Sequence, residues 1–209
     1  MEIRLISARP KTTTANPSKR SKSKPKESTQ ASREDWINTA LLRLSREGIQ
    51  GITIDALCNE LNLTKGSFYW HFKNRQALLL AMADSYAENT QKVYDNVRAS
   101  GLSDEEQIKQ TGSKSVNLEW GHVDRAMRIW AQSCEETAIA VKKTDKAILK
   151  FMEEKFSNLG VPADKVPALA RVTLATSVGA FAISKNVDEQ IFEDSQQLTF
   201  ALVKALADS

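Results

Sequence analysis

Apolar positions recur along this 209-residue chain at the three- and four-residue spacing of helix faces, with few β-branched alternating runs. Ser32 to Glu47 carries a stripe of Trp36, Ile37, Ala40, Leu41 and Leu44, opened by Ser32 and Asp35 as a capping box and closed by Gly48. From Thr53 to Phe72 the apolar positions Ile54, Leu57, Leu61, Phe68 and Phe72 predict two short helices sharing one small core. Thr53 caps the first, Asn62 takes the turn because Asn tolerates the left-handed conformation, and Thr64 caps the second. Asn74 then caps a long helix from Arg75 to about Ala99, with Leu78, Met82, Tyr86, Val93 and Val97 on its buried face. Further helices are expected at 103–118, 122–140 and 144–158, the first opened by Asp104-Glu105-Glu106. Leu159-Gly160-Val161-Pro162 punctuates the chain before two apolar helices, Pro167 to about Ser184 and Asp188 to Ala207. The expectation is an all-α fold.

Composition adds little to that picture and charge adds more. The 41% apolar content is ordinary for a folded soluble chain, and no apolar run approaches the roughly 20 residues that span a bilayer. Nor does a signal-peptide pattern open the chain. Two cysteines, Cys58 and Cys134, both in helical patterns, argue against a disulfide framework and fit a reducing cytoplasm. The net charge of +3 conceals an asymmetry, because residues 1–33 hold nine basic and two acidic side chains. The body is therefore mildly acidic and the excess is an N-terminal tail. Residues 1–31, including SKRSKSKPK at 18–26, are too polar to pack. They read as an arm along DNA phosphates or in the minor groove, or as a solvated tail with a generic attraction for DNA.

Candidate chemistry concentrates in the second short helix, which carries Lys65, Gly66, Ser67, Tyr69, Trp70, His71 and then Lys73 without a carboxylate. A helix laid in the DNA major groove needs donors, one close backbone approach, and no acid facing phosphate. Lys65, Gly66, Ser67 and Trp70 are the candidates for base edges; Thr53, Thr64, Tyr69, His71, Lys73 and Arg75 are the candidates for phosphate. His71 reads equally as a packed histidine capping the short helix, and Trp70 as a partly exposed packing residue.

The run from Trp36 to Leu78 resembles the DNA-binding domain of the tetracycline-repressor (TetR) family. The slots of that pattern hold Ala40, Gly48, Thr53, Leu57-Cys58, Asn62, Leu63-Thr64, Tyr69-Trp70-His71-Phe72, Arg75 and Leu78. Cys58 stands where the family usually has Ala, Asn62 where it has Gly, and Arg75 where it most often has Lys. The resemblance covers about a fifth of the chain. Behind the disordered basic tail that composition predicts (1–31), it implies a helix-turn-helix DNA-binding domain (32–78) and a helical effector-binding and dimerisation domain (79–209). It supports Thr53, Tyr69, His71 and Arg75 as phosphate contacts, and makes the long helix the lever between effector and DNA.

The resemblance also implies a small-molecule effector of unnamed identity, near Trp120, His122, Arg125, Arg128, Trp130 and Cys134. From the residues alone, Trp120 and Trp130 form either an aromatic cage or part of the core. Arg125 and Arg128 form either an anion site or a solvated face. The last two helices carry more apolar surface than one internal core needs, and their surplus face predicts a homodimer, as a reader of palindromic double-stranded DNA requires. Simple burial inside the monomer is the alternative. No metal-ligand spacing, phosphate loop or nucleophile elbow is visible, and the acidic pairs Glu135-Glu136 and Glu153-Glu154 read as solvated. The expected function is a dimeric, ligand-responsive transcription regulator, a repressor, that is not an enzyme and needs no cofactor. The alternative is a DNA-binding protein of the same fold controlled by a partner or acting architecturally.

Overall fold

The computed structural model describes residues 31–112, 114–183 and 189–208. Among these, the helices are α1 (Arg33–Glu47), α2 (Ile54–Leu61), α3 (Lys65–His71), α4 (Arg75–Arg98), α5 (Asp104–Thr111), α6 (Lys114–Ala131), α7 (Glu135–Asn158), α8 (Val166–Ile183) and α9 (Glu189–Ala207). A single 3-10 turn, Ile49–Gly51, links α1 to α2. The expected basic arm lies outside the described residues except for Ala31, as do the predicted ends of the last two helices at Ser184 and Asp188.

The local signals work as the residue chemistry demands. Ser32 accepts from the Asp35 N–H while Asp35 accepts from Ser32 N–H, closing the capping box. Thr53, Thr64 and Asn74 accept from the N–H groups of Ala56, Ser67 and Ala77. Each such cap stabilises its helix by about 1 kcal/mol. Asn62 sits at φ 55°, ψ 44° in the left-handed region, and the chain then doubles back as Leu63 N–H reaches the Cys58 carbonyl at 2.9 Å.

Two helical segments divide differently from the expectation. The stretch 103–118 breaks at Gly112, whose N–H closes α5 onto the Ile108 carbonyl. The stretch 122–140 breaks after Ala131, and Cys134 is extended at φ −143°, standing just before α7 rather than inside a helix. Glu135 and Glu136 therefore occupy the first turn of α7, where carboxylates offset the positive helix end. α7 begins nine residues earlier than the segment expected at 144–158.

Burial draws the reader and the following helices into one core. Trp36, Leu41, Leu57, Phe68, Phe72, Leu78, Met82 and Tyr86 cluster with Val123, Met127 and Trp130 of α6 and Ala140 of α7. Residues 31–209 accordingly form one compact unit, and no break in packing marks the boundary expected after residue 78. A second cluster joins Ile108, Phe156, Val161, Val166, Leu169, Ala170 and Val203. α4, about 36 Å long at 1.5 Å per residue, packs most extensively on α7. Gly121 lets α6 approach α8, because a Cβ there would lie 2.0 Å from the Phe181 ring.

Polar groups brace the same helices. The Tyr86 hydroxyl donates to Asp124, and Arg128 donates to Asp124 at 2.7 Å and to both oxygens of Asp145 at 2.5 and 3.1 Å. Burial, then the neighbouring Asp124, holds the Tyr86 hydroxyl well above its ordinary pKa, so it stays protonated as a donor. Burial disfavours the charge on Arg128, but hydrogen bonds to Asp145 and Asp124 keep its pKa above the ordinary value. Lys155, 4% exposed, is held by Asp104 at 2.7 Å and Glu154 at 2.9 Å. Glu154, expected to be solvated, also receives Arg98 at 2.8 Å.

Candidate nucleic-acid interface

α3 has two sides of different character. Phe68, fully buried, packs edge-on against Trp36 with ring centroids 5.4 Å apart, and lies 5.6 Å from Phe72. This aromatic floor fixes the helix to α1. On the other side Trp70 is 78% and Tyr69 54% exposed, and Lys65, Gly66 and Lys73 are exposed beside them. Ser67 is half-buried. An indole left 78% exposed gains little for the fold, which weighs against the alternative of Trp70 as a partly exposed packing residue. Gly66 has open space around it, since a Cβ would meet only the Thr64 hydroxyl at 3.5 Å.

The remaining candidates are already engaged within the protein, in ways that change what they can offer. Thr53 and Thr64 spend an acceptor lone pair on their caps, leaving the hydroxyl proton free to donate to a phosphate. Lys65 Nζ lies 2.7 Å from Asp55 on α2, and that hydrogen bond, then the Asp55 charge, raises the lysine pKa. DNA would compete with Asp55 for this ammonium.

His71 and Arg75, both expected at phosphates, are engaged within the protein. The His71 Nε2 is 2.9 Å from the Ala31 carbonyl, so Nε2 carries the hydrogen and the ring ties the start of α1 to the end of α3. Arg75 is half-buried and donates from Nε to the Ile52 carbonyl at 2.5 Å and from a terminal nitrogen to the Ile49 carbonyl at 2.7 Å. It thus fastens the 3-10 turn to α4. Arg43 does the same from α1, donating to the Gly51 carbonyl at 2.6 Å and to Glu60 at 3.1 Å. Arg43 was not among the predicted residues: beyond its helical pair Glu47, the partners that tie it to the turn and to α2 lie eight and seventeen positions away. Cys58 is buried, which pushes its thiol pKa up and keeps it inert.

The six effector candidates do not converge on one cavity. Trp120 stacks on Tyr86 with centroids 5.6 Å apart, while Trp130 is 8% exposed in the first core. They are ten residues, about 15 Å, apart along α6, too far to flank one small ring. Arg128 is neither an anion site nor a solvated face, being committed to Asp124 and Asp145. Cys134 precedes α7 without capping it, and its Sγ lies 3.3 Å from Glu136. His122, Arg125 and Trp130 do share one feature: they line a groove of about 430 Å³ between α6 and the end of α1.

Known proteins share both the reader and the fold. Residues 37–82 match the family model described as bacterial regulatory proteins, tetR family. The class C tetracycline repressor protein of Escherichia coli is 43% identical over 53 residues, 25% of this chain and 24% of that protein. A probable acrEF/envCD operon repressor of Escherichia coli is 32% identical over 50 residues, 24% of this chain and 23% of that protein. The chain thus matches these curated relatives over about a quarter of their length. Over most of the chain the likeness is one of fold. A TetR transcriptional regulator from Legionella pneumophila superposes with a TM-score of 0.71 at 15% identity, covering 82% of this chain and 97% of that one. One from Agrobacterium tumefaciens gives 0.67 at 13% identity, covering 83% and 96%. Residues 37–82 thus match the DNA-binding region of the tetR family, and the chain as a whole shares the all-helical fold of solved members of that family.

Proposed function

We propose that the chain is a homodimeric repressor that binds a palindromic operator and releases it when a small molecule binds among its C-terminal helices. The observation that carries the DNA half of this reading is the outer face of α3, which holds no acid of its own, with Lys65, Tyr69 and Trp70 exposed above a buried aromatic floor. An indole and a phenol held in water cost free energy unless a partner covers them, and a base-pair edge with its thymine methyl is such a partner. Lys65, Gly66, Ser67 and Trp70 read bases; Thr53, Thr64, Tyr69 and Lys73 hold phosphates. His71 and Arg75 act indirectly by fixing the ends of the reader. The N-terminal basic arm adds charge along the backbone.

Dimerisation is supported by apolar side chains left in water on α8 and α9. Val172, Ile191, Leu198 and Leu202 are 38–65% exposed. Ala175 and Ala182 are exposed among them and would let a partner helix approach closely. Packing these faces across a two-fold axis forms a four-helix contact and sets two readers for two half-sites. The repressor sense is supported by the names of the tetracycline and acrEF/envCD relatives.

The test is binding of the full chain to the DNA upstream of its own gene, with sedimentation on the same sample. A dimer that retards that DNA well ahead of random duplex, and is released in a compound screen, is the expected result. A monomer at micromolar concentration, or equal affinity for any duplex, would refute it.

A further inference from the structure

We infer that the groove between the last turn of α1 and the outer face of α6 is a site for a small amphipathic carboxylate, and that its occupancy sets how the reader sits on the helices behind it. The proposal rests on the reading of the chain as a DNA-binding regulator. It places a ligand at the seam of reader and body.

The groove has a volume of about 430 Å³, within the ordinary range for small-molecule sites. Leu44 and Ile49 form its apolar wall on the reader side; Ala126, Ile129 and Trp130 form the wall on α6. Ile129 is 57% exposed although its neighbours Val123, Met127 and Trp130 are buried, so this wall stands open to water. Beside Ser45 and Ser133, the charged groups lining the groove are one-signed. Arg46, Arg125 and His122 face it, and its lining includes no Asp or Glu.

Arg46 is already paired with Glu60, and the His122 ring lies edge-on to Phe181 at 6.0 Å. Arg125 differs from both: it is half-buried, yet no carboxylate lies within salt-bridge distance among the described residues. On the same helix Arg128 has two carboxylates, so the bare guanidinium at Arg125 is a local exception. A guanidinium half-removed from water and unpaired is satisfied best by a carboxylate in bidentate geometry. The apolar walls then take the body of such a ligand.

The two walls belong to parts that are braced separately. The Leu44–Ile49 wall moves with the reader, because Arg43 and Arg75 tie the 3-10 turn to α1 and to the start of α4. The α6 wall is tied to the middle of α4 and to α7 through Tyr86–Asp124 and Arg128–Asp145. A ligand spanning both walls favours the arrangement in which the groove fits it, and so shifts the reader's orientation by its differential affinity.

The probe is 2-naphthoate, titrated calorimetrically into the full chain, with the neutral 2-naphthylmethanol as comparison. Submillimolar binding of the carboxylate, at least about tenfold weaker binding of the alcohol, and about tenfold loss on Arg125→Gln are expected. Ile129→Glu, at an exposed position the fold does not need, places a carboxylate in the groove and should abolish binding with the melting temperature unchanged. The probe should also change the affinity of the wild-type chain for its DNA and leave Ile129→Glu unaffected. No binding up to 1 mM, or binding by both variants as tight as by wild type, overturns the site. Binding that leaves DNA affinity unchanged overturns its regulatory role. A chain that binds the probe but no DNA would refute the regulator reading while leaving the site itself in place.

Discussion

Phe68 and Trp70 stand two residues apart on one short helix, and truncating each to Ala should have opposite consequences. Phe68 is fully buried, edge-on to Trp36 and 5.6 Å from Phe72. Its removal leaves a cavity beneath the reader and should cost about 3–5 kcal/mol of stability. For a chain of this size each kcal/mol moves the melting temperature by about 2–4 °C, so Phe68→Ala should melt roughly 6–20 °C lower. Trp70, 78% exposed, has little to lose on folding, and Trp70→Ala should shift stability by less than about 0.5 kcal/mol. Its loss should appear instead in DNA binding, at about 1–3 kcal/mol, or roughly fivefold to 150-fold in affinity for the specific site. Urea melts give the first quantity and fluorescence anisotropy on labelled duplexes the second. If Trp70→Ala melts many degrees lower while holding its operator as tightly as wild type, the assignment of inner and outer faces is wrong.

Three further outcomes follow from the same geometry. Gly66→Ala has room for its methyl, 3.5 Å from the Thr64 hydroxyl, so the helix should gain up to about 1 kcal/mol while operator affinity falls; a melt and an anisotropy titration on one sample check both signs. Gly121→Val forces carbon within about 2 Å of the Phe181 ring and should destabilise the α6–α8 contact by about 1–3 kcal/mol, visible as a lower urea midpoint. Cys134 should react with a thiol reagent in the native protein well before Cys58, whose burial raises its pKa; equal native rates would contradict the packing of α2 on α1.

What could be read from the residues was local. Ser32, Thr53, Thr64 and Asn74 cap because the groups they satisfy lie three positions ahead. Asn62 turns the chain because few other side chains accept a left-handed backbone. The stripes of α1 and α4 were legible because one face of each is buried. The break between α6 and α7 was not, since no Gly or Pro marks 132–134 and apolar spacing continues through Trp130, Cys134 and Ala138. Only the acidic pair Glu135-Glu136, taken as solvated surface, carried the signal of a new helix start. The roles of His71, Arg75 and Arg128 were hidden for another reason. Their partners, Ala31, Ile52 and Asp145, are 40, 23 and 17 residues away, and nothing in a one-dimensional pattern pairs them. Trp70 was undecided until its exposure was known, because a helix of two turns leaves the direction of a flanking aromatic open.

The account turns on which face of α3 meets DNA, and a hydroxyl-radical and methylation-interference footprint addresses that directly. The chain would be used to select its preferred duplex from a random pool, and the footprint taken with wild type and with the Lys65→Ala, Trp70→Ala double variant. The expected pattern is two patches of major-groove interference related by a two-fold axis and about one helical turn apart. The double variant should lose base-specific interference in both patches while its melting temperature stays within a degree or two of wild type. A footprint of the double variant identical to that of wild type, or a selected pool with no shared sequence, would contradict it.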